Sequence, residues 1–287
     1  MAFLSALRIR QIRYCSRCAT NWAQTRFGRS LLRIVRSVPG MVSVMAGYRQ
    51  PRASLLEAAA AVRQFDSGGH TNLNNANLHQ QFMDAARPSD YAAFFHLLPI
   101  CKRINLVFDL GGNVGNLYYC YTKYLEFGPA LNWVVQDLAE IITRGGEIAT
   151  ARSDKRIVFT SSFKDAEGAD LFIASGSLHY FEVPLPEMIS ALTQKPRYVL
   201  INRTPMTDKK SFATVQDASS FRVPCVVYNR EAFITQFEEI GYQLRDRWEA
   251  AELSLDIPFY PELSVSDYTG MFFERNANER RKDVNLG

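Results

Sequence analysis

Leu106-Val-Phe-Asp-Leu-Gly-Gly-Asn-Val-Gly115 is the stretch on which the fold of this chain turns. Leu106-Val-Phe108 is short, apolar and bounded by a turn, as a buried strand should be, and the residues from Leu117 to Phe127 carry a helical pattern. Between them stand three glycines in five residues, Gly111, Gly112 and Gly115. Glycine lets the backbone turn tightly and approach a ligand closely, and the helix that follows offers free amide donors. Such a turn sits at the carboxyl end of a strand, where open α/β sheets hold nucleotide-like ligands. The bland alternative is a plain strand-turn-helix joint, for which three glycines are costly in backbone entropy.

The same alternation continues on either side. Apolar runs recur at Trp133-Val-Val135, Ile157-Val-Phe159, Leu171-Phe-Ile173, Tyr198-Val-Leu-Ile201, Tyr242 to Trp248 and Met271-Phe-Phe273, with helical stretches at Glu187 to Thr193 and Arg230 to Gly241. Continuous apolar strands separated by crossovers predict an α/β architecture: a doubly wound, mostly parallel sheet over residues 101–275. Ahead of it, Ser54-Leu-Leu-Glu57 is a capping box that opens a helix from Leu55 to about Phe65, and Asp66-Ser-Gly-Gly69 ends it. His70 to Asn77 reads as a polar loop, and Ser89, after Pro88, as the cap of a second helix running through Leu98. Residues 51–100 are therefore expected to form a helical flank or lid, and 276–287 a charged, frayed tail.

The charge is distributed unevenly. Of a net +4, ten arginines and no acid fall within residues 1–56, leaving the remainder at −6. The basic part is an arm, residues 1–50, so the folded domain lacks the positive face that a nucleic-acid binder carries and no nucleic-acid partner is expected. Apolar stripes in Phe3 to Arg17 and Arg26 to Val38 make the arm a candidate for peripheral contact with anionic membranes, an organelle transit peptide, or an inert leader. No apolar stretch of about 18 residues is present to cross a bilayer, so a cytoplasmic protein, peripheral at the membrane through its arm, is the expectation. Five cysteines, an odd number, suit a reducing compartment, and the lone Cys15-x-x-Cys18 pair is a poor zinc signal. His70, His79 and His96 do not have metal-site spacing, and no metal is expected.

Spacing chooses among nucleotides. A dinucleotide fingerprint counted from Gly111 needs glycine where Asn113 and Asn116 stand, so a nicotinamide oxidoreductase is disfavoured. Counted from Asp109, the segment is D-x-G-x-N-x-G, which resembles the first motif of class I S-adenosylmethionine-dependent methyltransferases with one glycine replaced. Asparagine tolerates left-handed backbone better than most residues. The resemblance extends over about 170 residues, and Asp109 to Tyr118 is similar to the D-x-GG-x-x-G-x-x-Y core of a bacterial putative methyltransferase family with largely undefined substrates.

That resemblance implies a Rossmann-like methyltransferase sheet and S-adenosylmethionine as cofactor, held by Asp109, Gly111, Gly112, Asn113 and Gly115. It also implies an acid closing the second strand that binds the ribose hydroxyls. Asp137 stands there and is alternatively a helix cap. Ser162 and Phe163 fall where the adenine pocket forms, with core packing as the other reading of Phe163. Ser175, at the end of the fourth run, falls at the methionine end. Past it, His179 is the candidate general base, or a structural histidine; Tyr180 and Arg203 are candidates to meet an acceptor, or packing and ion-pair residues. A small molecule or glycan, methylated at a hydroxyl, is the acceptor implied. A non-catalytic methyltransferase-like binding module is the standing alternative.

Overall fold

The structure, a computed structural model, describes residues 50–65, 83–217, 222–257 and 260–276. The arm and its Cys15-x-x-Cys18, the loop from His70 to Asn77, His79 and the tail beyond Asn276 lie outside the described residues. Ten strands and six α-helices follow one another along the described chain: α1 (Leu55–Phe65), α2 (Pro88–Leu97), β1 (Leu106–Leu110), α3 (Asn116–Tyr124), β2 (Asn132–Gln136), α4 (Ala139–Ala151), β3 (Ile157–Thr160), β4 (Leu171–Ser175), α5 (Leu185–Ser190), β5 (Tyr198–Thr204), β6 (Met206–Thr207), β7 (Phe212–Asp217), β8 (Arg222–Asn229), α6 (Arg230–Glu239), β9 (Tyr242–Ala250) and β10 (Tyr268–Arg275).

Seven strands form one sheet in the order β3-β2-β1-β4-β5-β10-β9. The first five pair in parallel, and β10 enters antiparallel between β5 and β9. Alternate side chains of each strand go to opposite faces, as a pleated strand demands. Val107, Trp133, Val135, Leu171 and Ile173 join one core with α2, α3 and α4, whereas Phe108, Val134, Phe172 and Ala174 join another with α5 and α6. Both faces are thus covered, the condition under which strands read as unbroken apolar runs. Burial of each such aliphatic or aromatic side chain stabilises the fold by about 1.5–3 kcal/mol. The sheet is the doubly wound, mostly parallel one expected from the sequence, and its strand order reverses between β1 and β4.

The N-terminal flank packs onto the sheet and its insert. Glu57 N–H donates to Ser54 Oγ at 3.2 Å, and the Glu57 carboxylate reaches back to Ala53 N–H at 3.1 Å, which starts α1 where the capping box indicates. Ala58 and Val62 of α1 pack on Ala213 and Val215 of β7. Helix α2 departs from the sequence expectation in its cap. Asp90 accepts the Arg87 amide at 2.9 Å and so closes the first turn, while the Ser89 hydroxyl, the expected cap, donates to Glu252. A second sheet, β6-β8-β7, fills the chain between β5 and α6. Its runs are interrupted by Pro224 and by polar residues, and sequence periodicity did not reveal it.

Candidate functional site

The turn after β1 is built from left-handed residues. Gly111, Asn113 and Gly115 have φ of 65°, 54° and 81°. Gly111 and Gly112 donate their amides to Gln136 O at 2.8 and 3.3 Å, which ties the turn to the end of β2. Asn113 takes the conformation a glycine would, with its side-chain Oδ1 accepting the Val114 amide at 3.0 Å. A Cβ on Gly111 would lie 2.5 Å from Ser177 Cβ, and one on Gly112 would lie 2.5 Å from Asp109 Cγ. The absence of side chains here serves packing against the loop after β4 and against the strand's own acid. Ser177 completes that contact by donating its hydroxyl to Leu110 O.

Two carboxylates flank the turn. Asp109 is wholly buried, its Oδ2 accepting from Trp133 Nε1 at 3.2 Å. Burial pushes its pKa up to about 7, with the Trp133 hydrogen bond opposing, Asp137 adding to the rise and the Arg203 charge opposing it. Asp137 closes β2 half-buried; its Oδ2 accepts the Asn113 amide and its Oδ1 the Leu138 amide, each at 2.8 Å. Burial holds its carboxyl above the ordinary range against both of those amides. Asp137 therefore ties the turn after β1 to the end of β2 and leaves further lone pairs on both oxygens, whereas the N-cap of α4 is Leu138, with no side-chain hydrogen bond to the first turn. Asp109 Oδ1, Asn116 Oδ1 and Gln136 Oε1 are buried acceptors with no hydrogen-bond partner among the described residues. Buried acceptors normally find donors.

Ser175 and Arg203, both candidates in the sequence, meet in a polar cluster at the ends of β4 and β5, where Arg203 forms an ion pair, as one of its two readings had it. Arg203, 4% exposed and at φ 56°, donates from Nη1 to Asp90 Oδ1 at 2.8 Å and from Nη2 to Ser175 Oγ at 2.7 Å. Left-handed backbone in a residue with a Cβ costs about 1–3 kcal/mol unless its surroundings fix it. They do: Asp90 also accepts from Tyr121 OH at 2.8 Å, and Asn202 Oδ1 accepts the Arg203 amide at 3.0 Å and Trp248 Nε1 at 3.1 Å. Nearby, burial first and Arg203 second bring the Arg87 guanidinium down to about 10. Asp90 and Asn202, which complete the cluster, were not among the residues singled out in the sequence.

The other expected residues fall as follows. Phe163 is partly buried, edge-on to Phe108 and Phe172 with ring centroids 5.8 and 6.0 Å away, so it packs on the core. The Ser162 amide donates to Thr160 Oγ1 at 3.0 Å, and Asp165 is exposed. His179 is 1% exposed, with its ring 4.0 Å from that of Tyr180 and 5.9 Å from that of Tyr268. Tyr180 donates its hydroxyl to Gln216 of β7, which binds it to the inserted sheet. Among the described residues no cluster of three or more histidine, cysteine or acidic side chains could hold a metal ion, and no helix is long and apolar enough to cross a membrane.

No family model and no curated protein sequence matches the chain. Solved structures similar to it include methyltransferases. One is the 1,6-didemethyltoxoflavin-N1-methyltransferase of Burkholderia thailandensis with bound 1,6-didemethyltoxoflavin and S-adenosylhomocysteine: 17% identity, TM-score 0.49, 79% of this chain and 92% of that one covered. A second is the magnesium protoporphyrin IX methyltransferase of Synechocystis with bound S-adenosylmethionine: 13% identity, TM-score 0.44, 75% and 88% covered. A third is an S-adenosylmethionine-dependent methyltransferase of Mesorhizobium loti: 16% identity, TM-score 0.45, 66% and 98% covered.

Proposed function

We propose that this protein transfers a methyl group from S-adenosylmethionine to a small-molecule or glycan acceptor, at a hydroxyl. The observation that carries the reading is the left-handed turn of Gly111, Asn113 and Gly115 at the carboxyl end of β1, where the strand order reverses, with Asp137 of β2 hydrogen-bonded to it. Doubly wound sheets bind their ligands in that crevice. The cofactor supplies a methyl group on a sulfonium, and the chain's residues bind and orient it. Asp137 accepts from the ribose hydroxyls through its remaining lone pairs, and Asp109, Asn116 and Gln136 hold further acceptors without a partner among the described residues. Ser162, Phe163 and Ser175 are assigned to the outer contacts. His179 is assigned as the base that takes the acceptor's proton, and Tyr180 is the side chain that must yield for an acceptor to reach it. The basic arm is assigned to peripheral contact with anionic membranes.

The test is mass spectrometry of the purified protein for co-bound S-adenosylmethionine or S-adenosylhomocysteine, with calorimetric titration of S-adenosylhomocysteine and a nicotinamide dinucleotide. Binding of the dinucleotide alone, or of neither, would sink the assignment. Asp137→Ala should weaken S-adenosylhomocysteine by about 1.5–3 kcal/mol, and unchanged affinity would remove the ribose role. Once an acceptor is known, His179→Ala should lower turnover by about 10²–10⁴ with cofactor affinity nearly unchanged. Joint loss of both would make His179 a packing residue. Equal sedimentation of full-length and arm-truncated protein with anionic vesicles would dismiss the membrane role.

A further inference from the structure

We infer that Arg203 is a positioning residue that aims the Ser175 hydroxyl at the carboxylate of the cofactor's amino-acid end, an inference that rests on the reading just given. Ser175 and Asn202 face each other in the β4-β5 register, and Arg203 follows at the tip of β5. Left-handed backbone at Arg203 accompanies a side chain that bonds to β4 on one side and to α2 on the other. Its two terminal nitrogens do different work. Nη1 meets Asp90 Oδ1 at 2.8 Å and Ser89 Oγ at 3.3 Å, while Nη2 meets Ser175 Oγ at 2.7 Å.

Asp90 in turn is filled by other donors: Oδ1 by Tyr121 OH at 2.8 Å and Asn202 Nδ2 at 3.4 Å, and Oδ2 by the Arg87 amide at 2.9 Å. The guanidinium is a rigid fork, so fixing one nitrogen fixes the other. A hydroxyl that accepts from a cation keeps its own proton to donate. No described residue accepts the Ser175 proton, and the neighbouring positive charge strengthens it as a donor to an anion.

The test is titration of the full-length protein, Arg203→Lys and Ser175→Ala with S-adenosylhomocysteine and with 5′-methylthioadenosine, which lacks the amino-acid end. Lysine keeps a charge beside Asp90 but has one nitrogen in place of the fork. Each variant should bind S-adenosylhomocysteine about tenfold more weakly, while 5′-methylthioadenosine changes by less than about twofold. Equal losses for both ligands would make the cluster purely structural, and unchanged binding of both by Ser175→Ala would overturn the role of its hydroxyl. If Arg203→Lys fails to fold, Ser175→Ala decides alone, since it removes only one oxygen from a half-buried side chain. Wild-type protein that binds neither ligand would instead bring down the cofactor reading, and this inference with it.

Discussion

The turn after β1 and the tip of β5 both bend the backbone into the left-handed region at the carboxyl edge of the sheet, and they hold it there by opposite means. Gly111 and Gly115 reach φ of 65° and 81° without a Cβ to oppose them, so the conformation is written into the residue type. Arg203 reaches 56° with a full side chain, held by an ion pair to a helix 113 residues earlier in the chain. One bend is local and needs little support. The other exists only while the tertiary structure maintains it, and substitutions should separate the two.

Gly111→Val should have the largest effect. Its branched side chain meets Ser177 at a left-handed position, and overpacking and backbone strain together amount to about 3–5 kcal/mol. Denaturant unfolding measures it, and a loss below about 1 kcal/mol would show that the turn can yield. Asp90→Ala should cost about 3–4 kcal/mol by leaving the Arg203 guanidinium buried and unpaired. If stability is unchanged, the tip of β5 does not depend on α2, and the contrast drawn between the bends fails.

Asp109→Asn should act through pH. With the folded carboxyl held near 7 and the unfolded one near its ordinary value, the folded state binds the proton more tightly. Stability from this group is therefore whole below about pH 4 and is lost as pH rises to about 7, on the order of 2–4 kcal/mol in all. The asparagine variant should lack that decline and be the more stable protein at pH 8. Parallel stability curves for the two proteins between pH 4 and 8 would contradict the buried position of Asp109. Asn113→Gly should be the mildest, within about 1 kcal/mol, because relief of the left-handed strain is offset by loss of the bond to Val114. A large destabilisation would mean that this turn too relies on side chains.

How far the site could be read from sequence follows the same division. Asp109, Asn113 and Asp137 were recognisable because each sits within a few residues of a strand end with its own local pattern, and the structure brings Asp137 to the Asn113 amide. The left-handed turn at Gly111 was legible in the residue type, but its second constraint was not, since the atoms that exclude a Cβ there belong to Ser177, 66 residues on. Phe163 was legible both as an adenine contact and as a core residue, and its packing against Phe108 and Phe172 depends on how three strands come together. The sheet of β6, β7 and β8 went unread because Pro224 and polar residues break up its strands and the packing of α1 on β7 is long-range.

The sequence by itself determined the central sheet, its helices on both faces and the glycine turn, because burial on two faces and left-handed backbone each select residue types at short range. The tertiary structure alone decided which polar groups meet at the carboxyl edge. Ser175 and Arg203 were candidates by their place past a strand, but Asp90, Tyr121, Asn202 and Trp248, which join them from α2, α3, β5 and β9, are ordinary in their own stretches of chain. Buried charges and amides are stable only when paired, and pairing between residues 28 to 113 positions apart leaves no periodicity for a sequence to display.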